Sequence, residues 1–352
     1  MKKILLFISI FGILISLTYA QKKQAIIVVQ DQVHQEVVVQ VDGLPFTAFI
    51  YSKNLEKPTL FPIIAANGET ITRGFPLAPR AKEPTDHPHH IGLWMNYESV
   101  NGLDFWNNSS VIAPAKKSKY GWIKTTAITE TKSGETGVIK YTADWSDIRQ
   151  HVILKEHSTL EFAATAAYRI IDRTTTLTAA EPVSFTDVKD GLLGLRVAHE
   201  LELPSKEERK FTDAHGEVTT VKGNDDQTVT GNYLTSENKQ GDSVWGTRGK
   251  WCMLYGQKGK DTISIVMIDH PDNIGYPTYW HARGYGLFAA NPLGQKVFSN
   301  GAEALNLQLE TGKSITFRYR VVIASGKERL SNNEINKLTH AFAASGGVAK
   351  KR

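Results

Sequence analysis

The 352-residue chain has one cysteine, Cys252, in the stretch KWCMLY. Without a partner it forms no internal disulfide, and two-cysteine redox chemistry is excluded. After the first twenty residues no apolar run approaches the roughly 20 residues that a membrane-spanning helix needs. Lysines and arginines are not clustered among aromatics, and the formal net charge is a mild +5, so a nucleic-acid partner is not expected. Segments with helical period do not alternate with the strand-like ones, which argues against a parallel βαβ sheet.

The chain opens with Lys2 and Lys3, an apolar run from Ile4 to Leu17, and then Thr18-Tyr19-Ala20. That pattern predicts a signal peptide cut near Ala20, before Gln21, and an exported chain, periplasmic or secreted. The remainder reads as strands: EVVVQVDG, FTAFIYS, GVIKYTADWS, LEFAATAAYRII, TISIVMID and ITFRYRVVIASG are short, rich in β-branched and aromatic residues, and bounded by turn residues. The expected fold is all-β, one large antiparallel sandwich from about Gln24 to Gly326. One helix is predicted at about 331–345, where Ser331 and Glu334 fit a capping box and Ile335, Leu338 and Phe342 form an apolar stripe. Gly346-Gly347 is expected to stop it. Residues 21–352 are thus expected to form a single domain.

Two polar segments, about 62–119 and 206–249, interrupt the strand rhythm. The first contains DHPHHIGLWMNYESVNGLDFW, Asp86 to Trp106, where three of the eleven histidines fall within four residues. Pro88 rules out a regular helix and is expected to push His87 towards extended geometry. A second cluster, DHPDNIGYPTYWHARGYGLFAANPLG, spans Asp269 to Gly294 and offers His270, Tyr276, Tyr279, Trp280, His281, Arg283, Tyr285 and Asn291. His, Arg, Asn and aromatics together suit a cleft for a polar, ring-shaped ligand: ring faces stack on apolar sugar faces while the polar groups bond hydroxyls or carboxylates.

Three readings of His87, His89 and His90 stand side by side. As metal ligands, His87 and His89 on one side of an extended strand would hold a divalent ion, completed by Asp86 or a distant His281. As acid/base groups they would move protons near neutral pH, with Asp86 or Asp104 fixing the tautomer. As structural groups they would bond loop backbone. Arg73, in TRGFP, and Arg283 read either as clamps on a carboxylate or oxyanion, or as salt bridges tying loops. Trp94, Trp106 and Trp280 read either as core or as a stacking platform. His199 and Glu200, in LRVAHELEL, are expected to alternate on a strand. Paired carboxylates of the glycosidase kind are not marked by context.

The segments TRGFPLAP, DHPHHIGLWMNYESVNGLDFW and HPDNIGYPTYWHARGYGLFAANPLG resemble the two hallmark regions of a bacterial family labelled "methane oxygenase PmoA", treated as a domain of unknown function. The likeness spans nearly the whole chain after its first twenty residues, although the histidine of RVAHELEL is not expected in every member. The label itself does not suit a chain with no membrane span. The resemblance implies a β-sandwich of the galactose-mutarotase kind, in bacteria that degrade polysaccharides, with a sugar or oligosaccharide as ligand. His87, His89, His90, Asp104 and Trp106 match the first motif; His281, Arg283, Tyr285 and Asn291 match the second.

The function expected is a carbohydrate-active enzyme of the epimerase, lyase or hydrolase type. His89 or His90 would be acid/base, His281 the opposing partner, and Arg73 or Arg283 the stabiliser of developing negative charge. Trp94, Asp104, Trp106, Tyr285 and Asn291 would bind substrate. The alternative is a non-catalytic carbohydrate-binding protein that uses Trp94 and Trp280 as its platform. The two histidine clusters, roughly 190 residues apart, are expected to line one cleft.

Overall fold

The computed structural model describes residues 23–345 except Lys82, 206–208, 213–217 and 222–227. The expected signal peptide and the Gly346-Gly347 stop lie outside the described residues, as does part of the second polar segment.

Two eight-stranded antiparallel sheets carry the fold. The first runs in spatial order Ile26–Asp31, Glu36–Val41, Leu44–Ile50, Thr59–Ile63, Leu93–Tyr97, Gly191–Arg196, Leu287–Asn291, Tyr279–Arg283. The second runs Asn232–Thr235, Trp251–Lys258, Asp261–Asp269, Ser314–Gly326, Tyr168–Ala179, Val152–Ala164, Gly137–Ser146, Trp122–Lys132. Alternation does the sorting: along Tyr168–Ala179 every second residue is buried, as a strand with one face on a core requires. The inward residues of both sheets, among them Val39, Leu93, Met95, Leu193, Phe288, Leu160, Ile171 and Ile265, form one continuous apolar cluster. The expected all-β sandwich is what forms.

The helix spans Asn332–Ala344, and its capping box is made as expected: Ser331 Oγ accepts from the Glu334 amide while the Glu334 carboxylate accepts from the Ser331 amide. Its buried residues Ile335 and Phe342 pack with Trp251, Met253, Val266, Ile268 and Val322. Those strand residues alternate with the inward ones, so the helix covers the outer face of the second sheet.

Two expectations need correction. The 62–119 segment is not all loop, because Leu93–Tyr97 is a central strand of the first sheet with all five residues buried. Burial on both faces removes the alternation that would have marked it. The second cluster likewise contains two strands, Tyr279–Arg283 and Leu287–Asn291. His199 and Glu200 do not alternate on a strand; the strand ends at Arg196, and both residues sit in a short 3-10 turn, His199–Leu201.

Candidate functional site

On the four strands at one end of the first sheet, register aligns residues from both sequence clusters. Trp94 pairs with Gly194, Gly194 with Ala289, and Ala289 with His281. One row away Arg196 pairs with Leu287 and Leu287 with Arg283. On the other side Asn96 pairs with Leu192, and Asn291 with Tyr279. These residues alternate with the inward Leu93, Met95, Leu193, Leu195, Trp280 and Phe288, so most of them face away from the second sheet. Trp94, Trp106, Leu287, Ala289 and Tyr285 form a separate apolar cluster on that outer face. Three strand spacings of about 4.8 Å separate the Trp94 and His281 backbones.

Gly194 makes the floor. A Cβ there would lie 2.6 Å from Trp94 Cζ2 and 2.9 Å from Trp106 Cη2. Its bare backbone therefore lets the edges of both indoles close onto the sheet, their planes inclined by 55°. The histidine run folds over them. His87 is not extended: its φ is +46°, in the left-handed region. Pro88 disfavours the right-handed region for its predecessor, and the turn closed by the His90 amide donating to the His87 carbonyl selects the left-handed alternative. Consequently His87 pairs with His90, not with His89 as an extended strand would have it. The rings of Tyr285, His87 and His90 lie parallel within 3° of one another, with His87 centred 5.1 Å from Tyr285 and 4.8 Å from His90. His90 in turn stacks on Trp94 at 5.3 Å.

A buried charge network holds this turn. The Asp86 carboxylate accepts two hydrogen bonds of 3.0 Å from the Arg196 guanidinium and one of 3.1 Å from Arg73. It also accepts from His87 Nδ1. Burial alone would raise its pKa, but Arg196, His87 and Arg73 outweigh that and hold it well below the usual carboxylate range. Arg73 donates further to the carbonyls of Asp86, His87 and His90. Lys57, buried as well, donates to the carbonyls of His89 and Trp106, and burial pushes its ammonium down to about 7.

These contacts sort the expected site residues. Arg73 is 1% exposed and spent on loop backbone, so it clamps the turn and has no access to a ligand. Trp94 and Trp106, 0% and 1% exposed, have no face left for a sugar; they support His90. The platform imagined on Trp94 and Trp280 fails for the same reason, since Trp280 lies in the core between the sheets. Asn291 is buried, donating to the Val188 and Lys189 carbonyls and accepting from the Leu293 amide. Asp104 accepts from the amide and side chain of Asn107 and shapes a local turn. His270 packs against Phe342 beneath the helix, on the other sheet. His90, 2% exposed between two rings, is poorly placed for proton transfer with solvent or substrate.

What remains is His87, whose side chain is 26% exposed, with half-buried His89 and Tyr285 and exposed Arg283; His281, farther along the face, is 3% exposed and as sealed as His90. If Nδ1 of His87 donates to Asp86, its lone pair is on Nε2. Burial lowers the pKa of His87, and it pushes His281 down to about 4, so both rings are neutral at pH 7. His281 Nδ1 lies 3.0 Å from the Lys189 carbonyl and 3.5 Å from Asp190. Among the described residues no group of three His, Cys, Asp or Glu side chains converges as metal ligands, and the rings of His87 and His89 meet edge to face at 5.5 Å.

Reading the sequence missed four groups. Arg196 had a signal, a lone charge ending the apolar strand GLLGLR. Lys57 had none. Glu98 continues the alternation of Trp94 and Asn96, and its amide donates to the Asp190 carbonyl, so two carboxylates meet across adjacent strands. Burial, then Asp190 and Asp104, push Glu98 up to about 7. Two surface clefts lie elsewhere: one of about 430 Å³ lined by Arg80, His199, Glu200 and Lys258, another of about 550 Å³ lined by Trp122, Lys124, Asp144 and Gln150. In the first the charges are paired, Lys258 with Glu200 and Arg80 with Glu83.

Residues 36–340 match the model of a family described as a family of unknown function, DUF6807, and the chain belongs to that family. That description has no methane-oxygenase label. No curated protein matches the chain. Among solved structures it is similar to the GH36 alpha-galactosidase AgaA from Geobacillus stearothermophilus, at 12% identity and a TM-score of 0.37, covering 86% of this chain and 41% of that one. It is also similar to the galactosidase domain of the alpha-galactosidase-sucrose kinase AgaSK, at 10% identity and 0.39, covering 87% and 42%. The Slr1438 protein from Synechocystis sp. PCC 6803 aligns over 88% of this chain and 99% of its own, at 8% identity and 0.33. This chain thus spans about two fifths of the two galactosidase structures. None of these likenesses is close enough to carry chemistry across.

Proposed function

We propose that this member of a family of unknown function is an exported carbohydrate-active enzyme that moves a proton on a sugar ring, with His87 as the acid/base group. The observation that carries the reading is the Asp86–His87 pair on the outer face of the first sheet. A buried carboxylate fixes the imidazole tautomer, and a half-buried Tyr285 ring stacked on the imidazole offers an apolar surface beside it. An imidazole that is neutral at pH 7 and oriented by a carboxylate is a competent general base. Arg283, with its guanidinium carbon 5.9 Å from the Tyr285 ring centre, supplies positive charge for an oxyanion that develops next to the reacting carbon. Glu98, half-buried farther along the face beside Asp190, is the candidate for the opposing proton. Epimerisation, elimination and hydrolysis of an oxidised glycoside all begin with such a transfer. Export rests on the leading segment alone and is tested by whether the mature protein begins at Gln21.

The test of the chemistry is solvent exchange. Sugars, uronates and keto-glycosides are incubated with the protein in deuterated water and read by NMR and mass spectrometry. The wild-type protein should place deuterium on one ring carbon of its substrate. His87→Ala should slow that by about 10²–10⁴ while its melting temperature stays near wild type, since His87 is partly exposed. Exchange that is unchanged in His87→Ala would sink the assignment. His90→Ala is expected to behave differently, losing stability through the cavity it opens between His87 and Trp94.

A further inference from the structure

Arg283 differs from every other arginine whose side chain is described. Arg73, Arg196, Arg173 and Arg320 donate to buried or half-buried carboxylates. Arg80, Arg149, Arg248 and Arg318 have carboxylate partners as well. Arg169 and Arg329 donate to carbonyls. Arg283 alone among them has neither a hydrogen bond nor an ion pair with the described residues. It is nevertheless held, because its guanidinium carbon lies 5.6 Å from the Trp245 ring centre and 5.9 Å from that of Tyr285. Contacts with two aromatic rings restrain the plane while leaving all five donors unspent.

Its surroundings are polarised. Arg196 shares its row of the sheet, and His87 stacks on the same Tyr285 ring. On the other side the Asp190 carboxylate lies 3.5 Å from His281 Nδ1, in the row next to that of Arg283. The carboxylates around Arg196 are already engaged: Asp86 binds two guanidinium groups and His87, and Glu202 lies 3.6 Å from Arg196. A ligand carboxylate placed at Arg283 therefore meets an unspent guanidinium beside the His87 ring, while Asp190 disfavours the same group on the His281 side.

We propose, resting on the carbohydrate reading above, that the substrate is a hexuronic acid or a uronate-containing oligosaccharide whose carboxylate is held by Arg283. The chemistry then closes on one carbon. In a hexuronate the C5 hydrogen is α to the carboxylate. The C5–H bond breaks, the proton passes to His87, and the electron pair delocalises into the carboxylate that Arg283 holds. A proton returned to the opposite face of C5 completes an epimerisation; loss of the C4 substituent as an alcohol, carrying that proton, completes an elimination. Arg283 binds the ground state and also stabilises the charge that develops.

The experiment titrates the full chain with D-glucuronate and D-galacturonate, each beside its neutral hexose, its methyl ester and the corresponding hexose 6-sulfate and 6-phosphate. Binding is read by calorimetry and ligand-observed NMR for the wild type, Arg283→Met and Arg283→Lys. The wild type should bind at least one uronate ten times more tightly than its neutral counterparts. Arg283→Met should bring that ratio to near one without moving the melting temperature, and Arg283→Lys should restore part of it. Equal binding of uronate and hexose overturns the proposal while leaving a sugar ligand in place, as does an undiminished ratio in Arg283→Met. Sulfate or phosphate esters binding better than the uronates overturn the carboxylate. If no sugar of the panel binds, the carbohydrate reading fails and this proposal falls with it.

Discussion

Two buried carboxylate–arginine networks, one on each sheet, use the same chemistry to different ends. In the second sheet Glu156, 0% exposed, accepts from Tyr141, Trp145, Ser158 and Arg173, and Arg173 Nε donates to Thr175. Each of these polar groups is partnered inside the core between the sheets. In the first sheet Asp86 binds Arg73 and Arg196, yet the Nε of each arginine is buried without a hydrogen-bond partner. The Asp86 network also has an outlet, since it ends in a partly exposed imidazole. A closed network only holds sheets together, whereas one that ends at a surface histidine sets the tautomer of that histidine. The cost of incomplete satisfaction is tolerated where a side chain has to be aimed.

The sharpest break of the comparison is to remove each acid. Glu156→Gln and Asp86→Asn should each cost about 3–5 kcal/mol in denaturant unfolding, because each leaves buried guanidinium uncompensated. Only Asp86→Asn should also alter the nitrogen chemical shifts and titration of His87. If Glu156→Gln disturbs His87 equally, the two networks are not separate devices.

Acid is the next probe. His281, pushed down to about 4 by burial, takes up fewer protons in the folded state than in the unfolded chain between pH 4 and 6.5. Stability must therefore fall as pH drops through that window, by roughly 3 kcal/mol for a shift of this size. His281→Gln should remove that part of the slope and leave the part due to His87, His89, His90 and His270, which burial also holds below the usual imidazole range. The contribution of Asp86, whose pKa is depressed, is present above about pH 4 and lost only below it. Asp86→Asn should leave the His281 part of the pH 4–6.5 slope intact, and its loss, read by His281 titration in NMR, would show that the two groups titrate together.

Packing under the open network gives a smaller effect. Gly194→Ala should cost about 1–3 kcal/mol by driving a methyl group into Trp94 and Trp106. It should also shift the His90 and His87 resonances. Unchanged histidine signals would mean that the indoles do not support the turn. Smallest of all, Ser331→Ala removes the helix cap on the far face of the second sheet and should cost about 1 kcal/mol in thermal unfolding. It should leave both networks untouched.

Much of the architecture was legible before any coordinates. Alternating β-branched runs marked most of the second sheet, and the capping box with its apolar stripe placed the helix to within a residue. Both histidine clusters were visible by composition. Leu93–Tyr97 was not, because a strand buried on both faces reads like any apolar stretch, and Asn96 within it looks like a loop residue. Nor could spacing reveal that Pro88 would leave His87 left-handed, since extended and left-handed backbone both satisfy a following proline.

Local sequence therefore determined that this protein is a β-sandwich with a C-terminal helix, and that its unusual side chains gather in two segments. Tertiary structure alone decided which of them reach solvent. Arg73 and Arg283 are the same residue type in similar company, yet one is consumed by loop carbonyls and the other faces solvent between two rings. His90 and His87 are three residues apart, one sealed against Trp94 and the other exposed beside Tyr285. The physical reason is that a period of two tells which residues share a face of a strand. Which strand lies beside it, and what folds over that face, depends on pairings between residues about 100 to 200 positions apart, such as Trp94 with Gly194 and Asp86 with Arg196.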